Sequence, residues 1–464
     1  MGVARGEFRV RALDLGTVFA CIPLLFSGAT AIKLACNKPI FSRRQTSPAF
    51  EPYSFLAFQP PGLPAFQPFG EKSDMLTNPE QAGGLYVHIP FCQKKCLYCD
   101  FYSITDLTQT SSFAAALERE MELAGQSALT FDTLYIGGGT PSVLEGKAIE
   151  KIVASASKHF RIQSDAQVTI EVNPGAVALE DLRRYRQCGI NRLNIGIQSF
   201  TEANLKFLGR IHSRSQALSS LAWARQAGFE NIGLDLIYGL PEQEKTHWLH
   251  DLRQALQFNP EHLSCYLLTR ESGTPLDREV RAGRIRLPAE EHLGKLFKTT
   301  IDYLGQLGYH HYEISNFARR SDRGDSLWKS KHNQKYWSFA PYIGLDPSAH
   351  SYLEPERRWN HRIIERYMLA IQQGKLPIAE TEALTREQMI MEAVYLGFRT
   401  VEGIDIGEFQ RRFGIDFLKT FHQTIADFEK DGLIKVTKDR CRLTPEGMVL
   451  LDGITAEFTS QEVP

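Results

Sequence analysis

Residues 86–100 read Tyr-Val-His-Ile-Pro-Phe-Cys-Gln-Lys-Lys-Cys-Leu-Tyr-Cys-Asp, and the three cysteines follow the spacing C-x3-C-x2-C. The loop contains no fourth cysteine. Four thiolates occupy every iron of a [4Fe–4S] cluster, whereas three leave one iron open to another ligand. Cys92, Cys96 and Cys99 therefore indicate a cluster that serves as a reaction centre more readily than as an electron carrier.

Two other uses of these cysteines are weaker alternatives. A zinc site needs a fourth ligand, and His88 is close in sequence, but zinc motifs usually carry a second cysteine pair downstream and none is visible. A disulfide is disfavoured by the odd number and the crowding of the thiols. The other cysteines are scattered, which is typical of ordinary thiols in a reducing compartment; they are Cys21, Cys36, Cys188, Cys265 and Cys441. We therefore predict a cytoplasmic protein.

Length and composition predict a globular protein of two to three domains. The chain has 464 residues, of which 43% are hydrophobic and 23% charged, as in ordinary soluble domains. The formal net charge of −1 gives no electrostatic reason to expect a nucleic acid as the main partner.

Residues 1–74 differ from the rest and are excluded from the fold prediction. Basic residues dominate the first 44 positions, residues 15–32 are uncharged, and residues 48–69 are rich in Pro and Phe. Three interpretations stay open: a targeting segment cleaved near Ala29-Thr30-Ala31, a weak membrane anchor, or an upstream extension of a working chain that starts at Met75. We favour the extension, because a secreted cluster protein would have its thiolates oxidised.

From Leu85 onwards, strand-like and helix-like segments alternate. The predicted strands are 85–89, 133–136, 167–172, 192–197, 231–237 and 262–268, and the helices between them are 111–124, 146–160, 178–188, 216–227 and 246–257. Six β-α units predict the α/β class, with a parallel sheet curled into a partial (β/α)6 barrel over residues 75–300. Functional groups are then expected at the carboxyl ends of the strands.

Polar and glycine-rich motifs do follow these strands directly. Residues 137–141 read Gly-Gly-Gly-Thr-Pro and allow a ligand to approach the backbone closely, although turns also use glycine. Glu171 ends the third strand and could accept hydrogen bonds from an amine or a ribose, or simply be solvated. Gln198 follows the fourth strand. Arg210 suits a carboxylate, and Asp235 lies in an apolar strand, where burial requires a partner.

These motifs together resemble the radical S-adenosylmethionine (SAM) superfamily, over residues 84–455. The similarity is greatest to the branch that holds oxygen-independent coproporphyrinogen III oxidase and the HemW-type haem chaperones. It implies that Cys92, Cys96 and Cys99 hold the [4Fe–4S] cluster and that the open iron binds SAM. The SAM contacts it implies are Tyr86, Tyr98, Gly138, Gly139, Thr140, Glu171, Gln198, Arg210 and Asp235, with Thr269 a weaker match.

Residues 301–378 are predicted to close the barrel and to carry a haem-motif loop. His310-His311-Tyr312 is one notable stretch. The second, residues 331–337, contains H-N-x2-Y-W, which resembles the motif of the HemW-type chaperones. The resemblance implies a haem site with His332 as iron ligand, whereas a polar loop packed under the barrel is the alternative.

Residues 379–464 are predicted to form a winged-helix-like α+β module. The predicted helices are 385–396, 406–413 and 417–431, followed by a hairpin of 433–436 and 441–443. Such a shape could bind DNA, but acids balance the bases, which favours a structural or substrate-covering role.

The resulting expectation is a HemW-like chaperone that binds haem, the cluster and SAM and transfers haem to an acceptor protein, with an electron donor for the cluster. The alternative is the oxidase, an enzyme of the coproporphyrinogen dehydrogenase type. That branch has a further cysteine two positions after the third, where this chain has Asp100-Phe101. Whether the protein turns over a substrate, contacts a membrane peripherally or forms a homodimer is left open.

Overall fold

The computed structural model describes residues 81–125, 127–321 and 326–459. The predicted N-terminal extension, residues 1–74, lies outside the described residues. Within the described ranges, none of the helices combines the length and the apolar character that a membrane crossing would need.

A single 12-stranded sheet organises most of the described chain, in the order β12-β11-β10-β9-β1-β2-β3-β4-β5-β6-β8-β7. Strands β9 and β1–β6 run parallel. The sheet is open, with β12 and β7 at its edges, as a partial barrel requires. The strands are β1 Gly83–Ile89, β2 Thr130–Gly138, β3 Arg161–Val172, β4 Arg192–Gln198, β5 Ile232–Tyr238, β6 His262–Leu267, β7 Tyr309–Glu313, β8 Asn316–Arg319, β9 Tyr342–Leu345, β10 His350–Leu353, β11 Glu356–Asn360 and β12 Ile378–Ala383.

Helices connect the parallel strands and cover one face of the sheet. They are α1 Thr110–Ala124, α2 Gly146–His159, α3 Leu179–Gln187, α4 Glu202–Leu208, α5 Arg214–Gln226 and α6 Lys245–Leu256, followed by α7 Pro275–Arg281 and α8 Glu290–Gln306 after β6. All six predicted strands and all five predicted helices are present, shifted at their ends by up to six residues. Helix α4 was not predicted.

Side-chain alternation gives the sheet two different faces. On β4, Leu193, Ile195 and Ile197 are fully buried against the helices. The alternate residues Arg192, Asn194 and Gln198 point to the other side, into the barrel. The apolar core therefore lies between sheet and helices, and the interior of the barrel is left polar.

The segment after α8 completes the sheet at both edges. Strand β8 pairs antiparallel with β6 and with β7, while β9 lies beside β1 on the opposite side. The prediction of a loop around the H-N-x2-Y-W motif was wrong: residues Lys331–Trp337 form helix α9. Lys335 anchors this helix by donating to the backbone oxygen of Ala82 and by an ion pair with Asp132.

The C-terminal part contains a small sheet, in the order β13-β15-β14, with helices around it. The predicted hairpin is present, but the single predicted helix over 417–431 was wrong. It is broken at Phe421, which is fully buried and contacts Phe417 and Phe458. The elements are helix α10 Ile364–Gln372 before β12, then α11 Arg386–Arg399, β13 Ile404–Asp405, α12 Ile406–Phe413, α13 Phe417–Thr420, α14 His422–Lys430, β14 Ile434–Val436, β15 Arg440–Leu443, α15 Pro445–Val449 and α16 Leu451–Thr459.

The division into domains at 300/301 and 378/379 stays a prediction. The main sheet continues to Ala383, five residues beyond the second predicted boundary.

Candidate functional site: a polar cavity at the barrel mouth

A cavity of about 630 Å³ opens at the carboxyl ends of the parallel strands. All thirteen site residues predicted from the sequence line this cavity, although they come from six elements and three loops. They are Tyr86, Cys92, Cys96, Tyr98, Cys99, Gly138, Gly139, Thr140, Glu171, Gln198, Arg210, Asp235 and His332.

The cysteine loop is attached to the rest of the barrel by its backbone. The N–H of Cys92 donates to Ile104, and the N–H of Leu97 donates to Leu208. Each attachment lies beside a cysteine, so the loop holds its thiols over the strand ends.

The three thiols lie close together. Burial, with the neighbouring thiols of Cys96 and Cys92, raises the pKa of Cys99 to about 12. Cys92 Sγ lies 3.3 Å from Thr140 Oγ1, and Arg210 Nη1 donates to Cys96 Sγ at 3.7 Å. A cationic donor beside the thiols favours the thiolate form that binds iron.

Within the described residues, no three His, Cys, Asp or Glu side chains converge on a single metal ion. That finding disfavours the zinc alternative with His88. His88 is also occupied, because its Nε2 donates to the backbone oxygen of Tyr102 at 2.9 Å. A cubane cluster differs from a single ion, since each thiolate binds a different iron. Three thiols on one loop therefore fit a cluster and not a mononuclear site.

The glycines after β2 bring the strand end against the cysteine loop. Gly138 has a φ of +106°, which favours glycine. A Cβ atom at Gly139 would lie 2.7 Å from the backbone oxygen of Phe91, too close for any other residue. The Gly139 N–H donates to Ile89 at 2.8 Å. These glycines thus have two effects. They let the end of β2 pack against the cysteine loop, and they leave the backbone accessible to a ligand.

Glu171 is held in the centre of the cavity. Tyr135 Oη donates to its Oε1 at 2.7 Å, and the Gly138 N–H donates to its Oε2 at 3.2 Å. Burial, reinforced by the nearby Asp235, raises the pKa of Glu171 to about 7. The carboxyl group can therefore either donate or accept a hydrogen bond near neutral pH.

Two strands further along the sheet, Asp235 accepts from Asn194 Nδ2 at 2.7 Å, and burial raises the pKa of its carboxyl group. Arg210 Nη2 donates to the backbone oxygen of Gly196 at 2.8 Å. Among the described residues, Gln198 Oε1 and Arg210 Nε are buried without a hydrogen-bond partner. Buried polar atoms left in this state fit a polar ligand such as SAM, which would supply their partners.

Arg192 is a cavity residue that the sequence analysis missed. It is 1% exposed, and its Nε and Nη1 have no hydrogen-bond partner within the described ranges. Its Nη2 lies over Gly233, near Asn194 and His262. Strand alternation could have identified Arg192, because it is two and six residues before the cavity residues Asn194 and Gln198.

His332 lies at the floor of the cavity, 1% exposed. Its Nδ1 is 2.8 Å from Thr133 Oγ1 and its Nε2 is 2.9 Å from Tyr336 Oη. Its ring stacks on Tyr86 and Tyr135. Burial lowers the pKa of His332 to about 3, so it is neutral. Both ring nitrogens are used within the protein, which leaves none directed at a bound iron.

The other stretch that the sequence singled out is not at the cavity. His310 is exposed on β7, and His311 packs on Phe317 with ring centroids 4.6 Å apart. Instead, two stacked rings line the mouth: His350 of β10 and Trp359 of β11, with their centroids 5.7 Å apart.

Comparisons with known proteins agree with this site. Residues 86–255 match the radical SAM superfamily, and residues 384–450 match the HemN C-terminal domain. Haem chaperone HemW of Bacillus subtilis is 32% identical over 380 residues, covering 81% of this chain and 99% of the relative. HemW of Escherichia coli is 31% identical over 385 residues, covering 81% and 98%.

Among solved structures, coproporphyrinogen III oxidase (HemN) from Escherichia coli, a radical SAM enzyme, superposes with a TM-score of 0.70 at 26% identity. The match covers 82% of this chain and 91% of the oxidase. The superfamily implies a [4Fe–4S] cluster and SAM as cofactors, which the thiols and the polar cavity fit. With about a third of its residues identical over nearly the full length of these relatives, the chain belongs to the HemW family of radical SAM proteins.

Proposed function

We propose that the protein is a haem chaperone, which binds haem together with a [4Fe–4S] cluster and SAM and passes the haem to acceptor proteins. The observation that carries this proposal is the similarity to the haem chaperones HemW of two distant bacteria over 98–99% of their length. A match of that extent includes the cavity and the C-terminal module together.

The cysteine loop supports the chaperone over the oxidase. Where the oxidase branch has its further cysteine, this chain has Phe101, next to Asp100. Both residues line the cavity beside Cys99. A phenyl ring cannot replace a thiol in binding or redox chemistry, so the site lacks a group that the oxidase branch has.

The cavity residues divide by chemistry into three proposed roles. Cys92, Cys96 and Cys99 hold the cluster. Arg210 binds the carboxylate of SAM, since its Nε is buried and unpartnered among the described residues. The third role, contact with the amine, ribose and adenine of SAM, falls to Tyr86, Tyr98, Gly138, Gly139, Thr140, Glu171, Gln198 and Asp235. When bound, the cluster and SAM supply one-electron chemistry at the strand ends.

The C-terminal module has a structural role in this proposal and binds no DNA. It is fastened to the main sheet by a buried ion pair of 2.9 Å between Arg399 and Glu313. It also meets α8, where Lys298 lies 3.5 Å from Glu446. These contacts hold the module against the barrel.

The proposal includes the cellular compartment of the protein and its partners. Thiolates that bind a cluster require a reducing compartment, so we place the chaperone in the cytoplasm with a protein electron donor. A peripheral membrane contact and a homodimer belong to the same proposal; co-sedimentation with vesicles and light scattering test them.

One anaerobic experiment tests the function. Reconstituted protein is titrated with haem, and the haem-loaded protein is then mixed with an apo-haemoprotein while the acceptor spectrum is followed. We expect saturable haem binding and transfer. In parallel, the protein is incubated with coproporphyrinogen III, SAM and a reductant. Protoporphyrinogen formed over many turnovers would make the protein an oxidase and overturn the proposal.

A further inference from the structure

Four histidines line the cavity in the described part of the chain, and they differ in accessibility. His88, His262 and His332 are buried, with exposures of 5%, 1% and 1%. Each is hydrogen-bonded to the protein: His88 to Tyr102, His262 to Tyr312, and His332 to Thr133 and Tyr336. His350 is the partly exposed member of the four. The three buried rings are closed in by the protein, so the partly exposed one is the most accessible to a porphyrin.

The position of His350 is set by its strand pairing. It is the first residue of β10 and lies opposite Trp359 of β11 in the antiparallel register. The two rings stack at 5.7 Å with an interplanar angle of 28°. The indole packs against the imidazole and adds an apolar aromatic surface beside it. Both residues line the mouth of the cavity.

The same opening carries positive charge. Arg362 is exposed and lies over the ring of Tyr102, 5.7 Å from its centroid. Lys94, also exposed, projects from the cysteine loop. Both line the cavity. Haem has two propionates at one edge and an apolar macrocycle, so an imidazole, an indole and two cations around one opening match its parts.

From this arrangement we infer that His350, stacked on Trp359, is the axial ligand of haem at the cavity mouth, with Arg362 and Lys94 binding the propionates. The inference rests on the proposed function and corrects the sequence-based assignment of the ligand to His332. In this arrangement His332 is a floor residue that holds Tyr336 and Thr133, and haem lies above the SAM site instead of within it.

The test is an anaerobic haem titration of four proteins, followed by the Soret band: wild type, His350→Ala, His332→Gln and His310→Ala. Glutamine at 332 keeps a donor and an acceptor for the floor contacts, and His310 is an exposed histidine away from the cavity. We expect His350→Ala to bind haem about tenfold or more weakly with a shifted Soret band. The other two variants should keep the wild-type band position.

A second set of variants keeps the inference testable if His350→Ala folds poorly, as judged by cluster content and circular dichroism. His350→Met offers a thioether ligand, so haem should bind with an altered spectrum. Arg362 is exposed, and its replacement by alanine (Arg362→Ala) should weaken haem binding with no change of the Soret position. The substitution removes a propionate contact and leaves the iron ligand His350 in place.

The outcomes separate the inference from the proposed function. If wild type binds no haem, the function itself fails. If wild type binds haem and His350→Ala and His350→Met both retain its affinity and Soret band, the function stands and the assignment of His350 is overturned. If only His332→Gln loses the Soret band, the iron ligand is His332 at the floor of the cavity.

Discussion

Gly344 and the backbone carbonyl oxygen of His350 lie so close that a methyl group on Gly344 would overlap that oxygen. Gly344 is in β9, beside β1, and His350 begins β10 at the cavity mouth. Ser351 Oγ accepts from the Gly344 N–H at 3.0 Å and fastens the same turn. The glycine therefore allows the start of β10, which carries His350, to pack closely against β9.

Gly344→Ala should push the start of β10 outward. We expect a loss of about 1–3 kcal/mol in the free energy of unfolding, as for overpacked core positions, and weaker haem binding. The matched control is Gly305→Ala on the exposed side of α8, where no atom lies within 4 Å. That change should be neutral or stabilise by up to about 1 kcal/mol. Chemical denaturation gives both values, and equal effects of the two substitutions would contradict the argument.

Alanine in place of Cys92, Cys96 or Cys99 should each abolish cluster assembly, because two thiolates hold a cubane too weakly. Iron and sulfide counts after anaerobic reconstitution measure the outcome. Cys188→Ala is the control, since that thiol is partly buried away from the cavity and donates to the backbone oxygen of Tyr185. Full cluster content in Cys96→Ala would show that the cysteine loop does not bind the cluster.

Arg210→Ala and Asp235→Asn should weaken SAM binding and leave the cluster intact. Each removes one charge-assisted hydrogen bond, worth about 1.5–3 kcal/mol, or roughly tenfold or more in affinity. Arg183→Ala, on the exposed surface of α3, is the control for loss of a guanidinium. Equilibrium dialysis with labelled SAM decides, and affinity equal to wild type in both variants would exclude these two residues from the site.

Because the buried carboxyl group of Glu171 loses its proton as pH rises, the free energy of unfolding of the ligand-free protein should fall. Its pKa is raised from 4.5 to about 7 on folding, so between these values the folded state keeps a proton that the unfolded state loses. Stability then falls across pH 4.5–7, by up to about 3 kcal/mol. In Glu171→Gln this decline should be much smaller. Urea denaturation at pH 5 and pH 8 measures this decline. Identical pH profiles for wild type and Glu171→Gln would show that burial does not raise the pKa of Glu171.

Local patterns in the sequence were sufficient for the barrel and for most of its site. The cysteine spacing, the strand-helix alternation and the motifs after the strands all depend on residues within a few positions of one another. They placed Cys92, Glu171 and Gln198 at or just after strand ends and Asp235 within a strand, where the structure has them.

What the sequence could not provide are contacts between distant segments. The burial of His332 depends on Thr133, 199 positions earlier, and the pairing of His350 with Trp359 depends on the register of two short strands. Helix α9 has only seven residues, too few for a periodic pattern, so the sequence alone predicts a loop there. The break at Phe421 follows from packing on Phe458, which no local preference reveals.

Strand β9 pairs in parallel with β1, from Gly84 opposite Tyr342 to Val87 opposite Leu345. Strand β2 follows β1 closely in the chain, but the chain must be synthesised about 250 residues past Cys92 before the second neighbour of β1 exists. At roughly 5–20 residues per second, this takes on the order of tens of seconds. During that time the side of β1 away from β2 has no strand beside it. The wall of the cavity that contains His350 and Trp359 is therefore completed only after the second half of the chain has been translated.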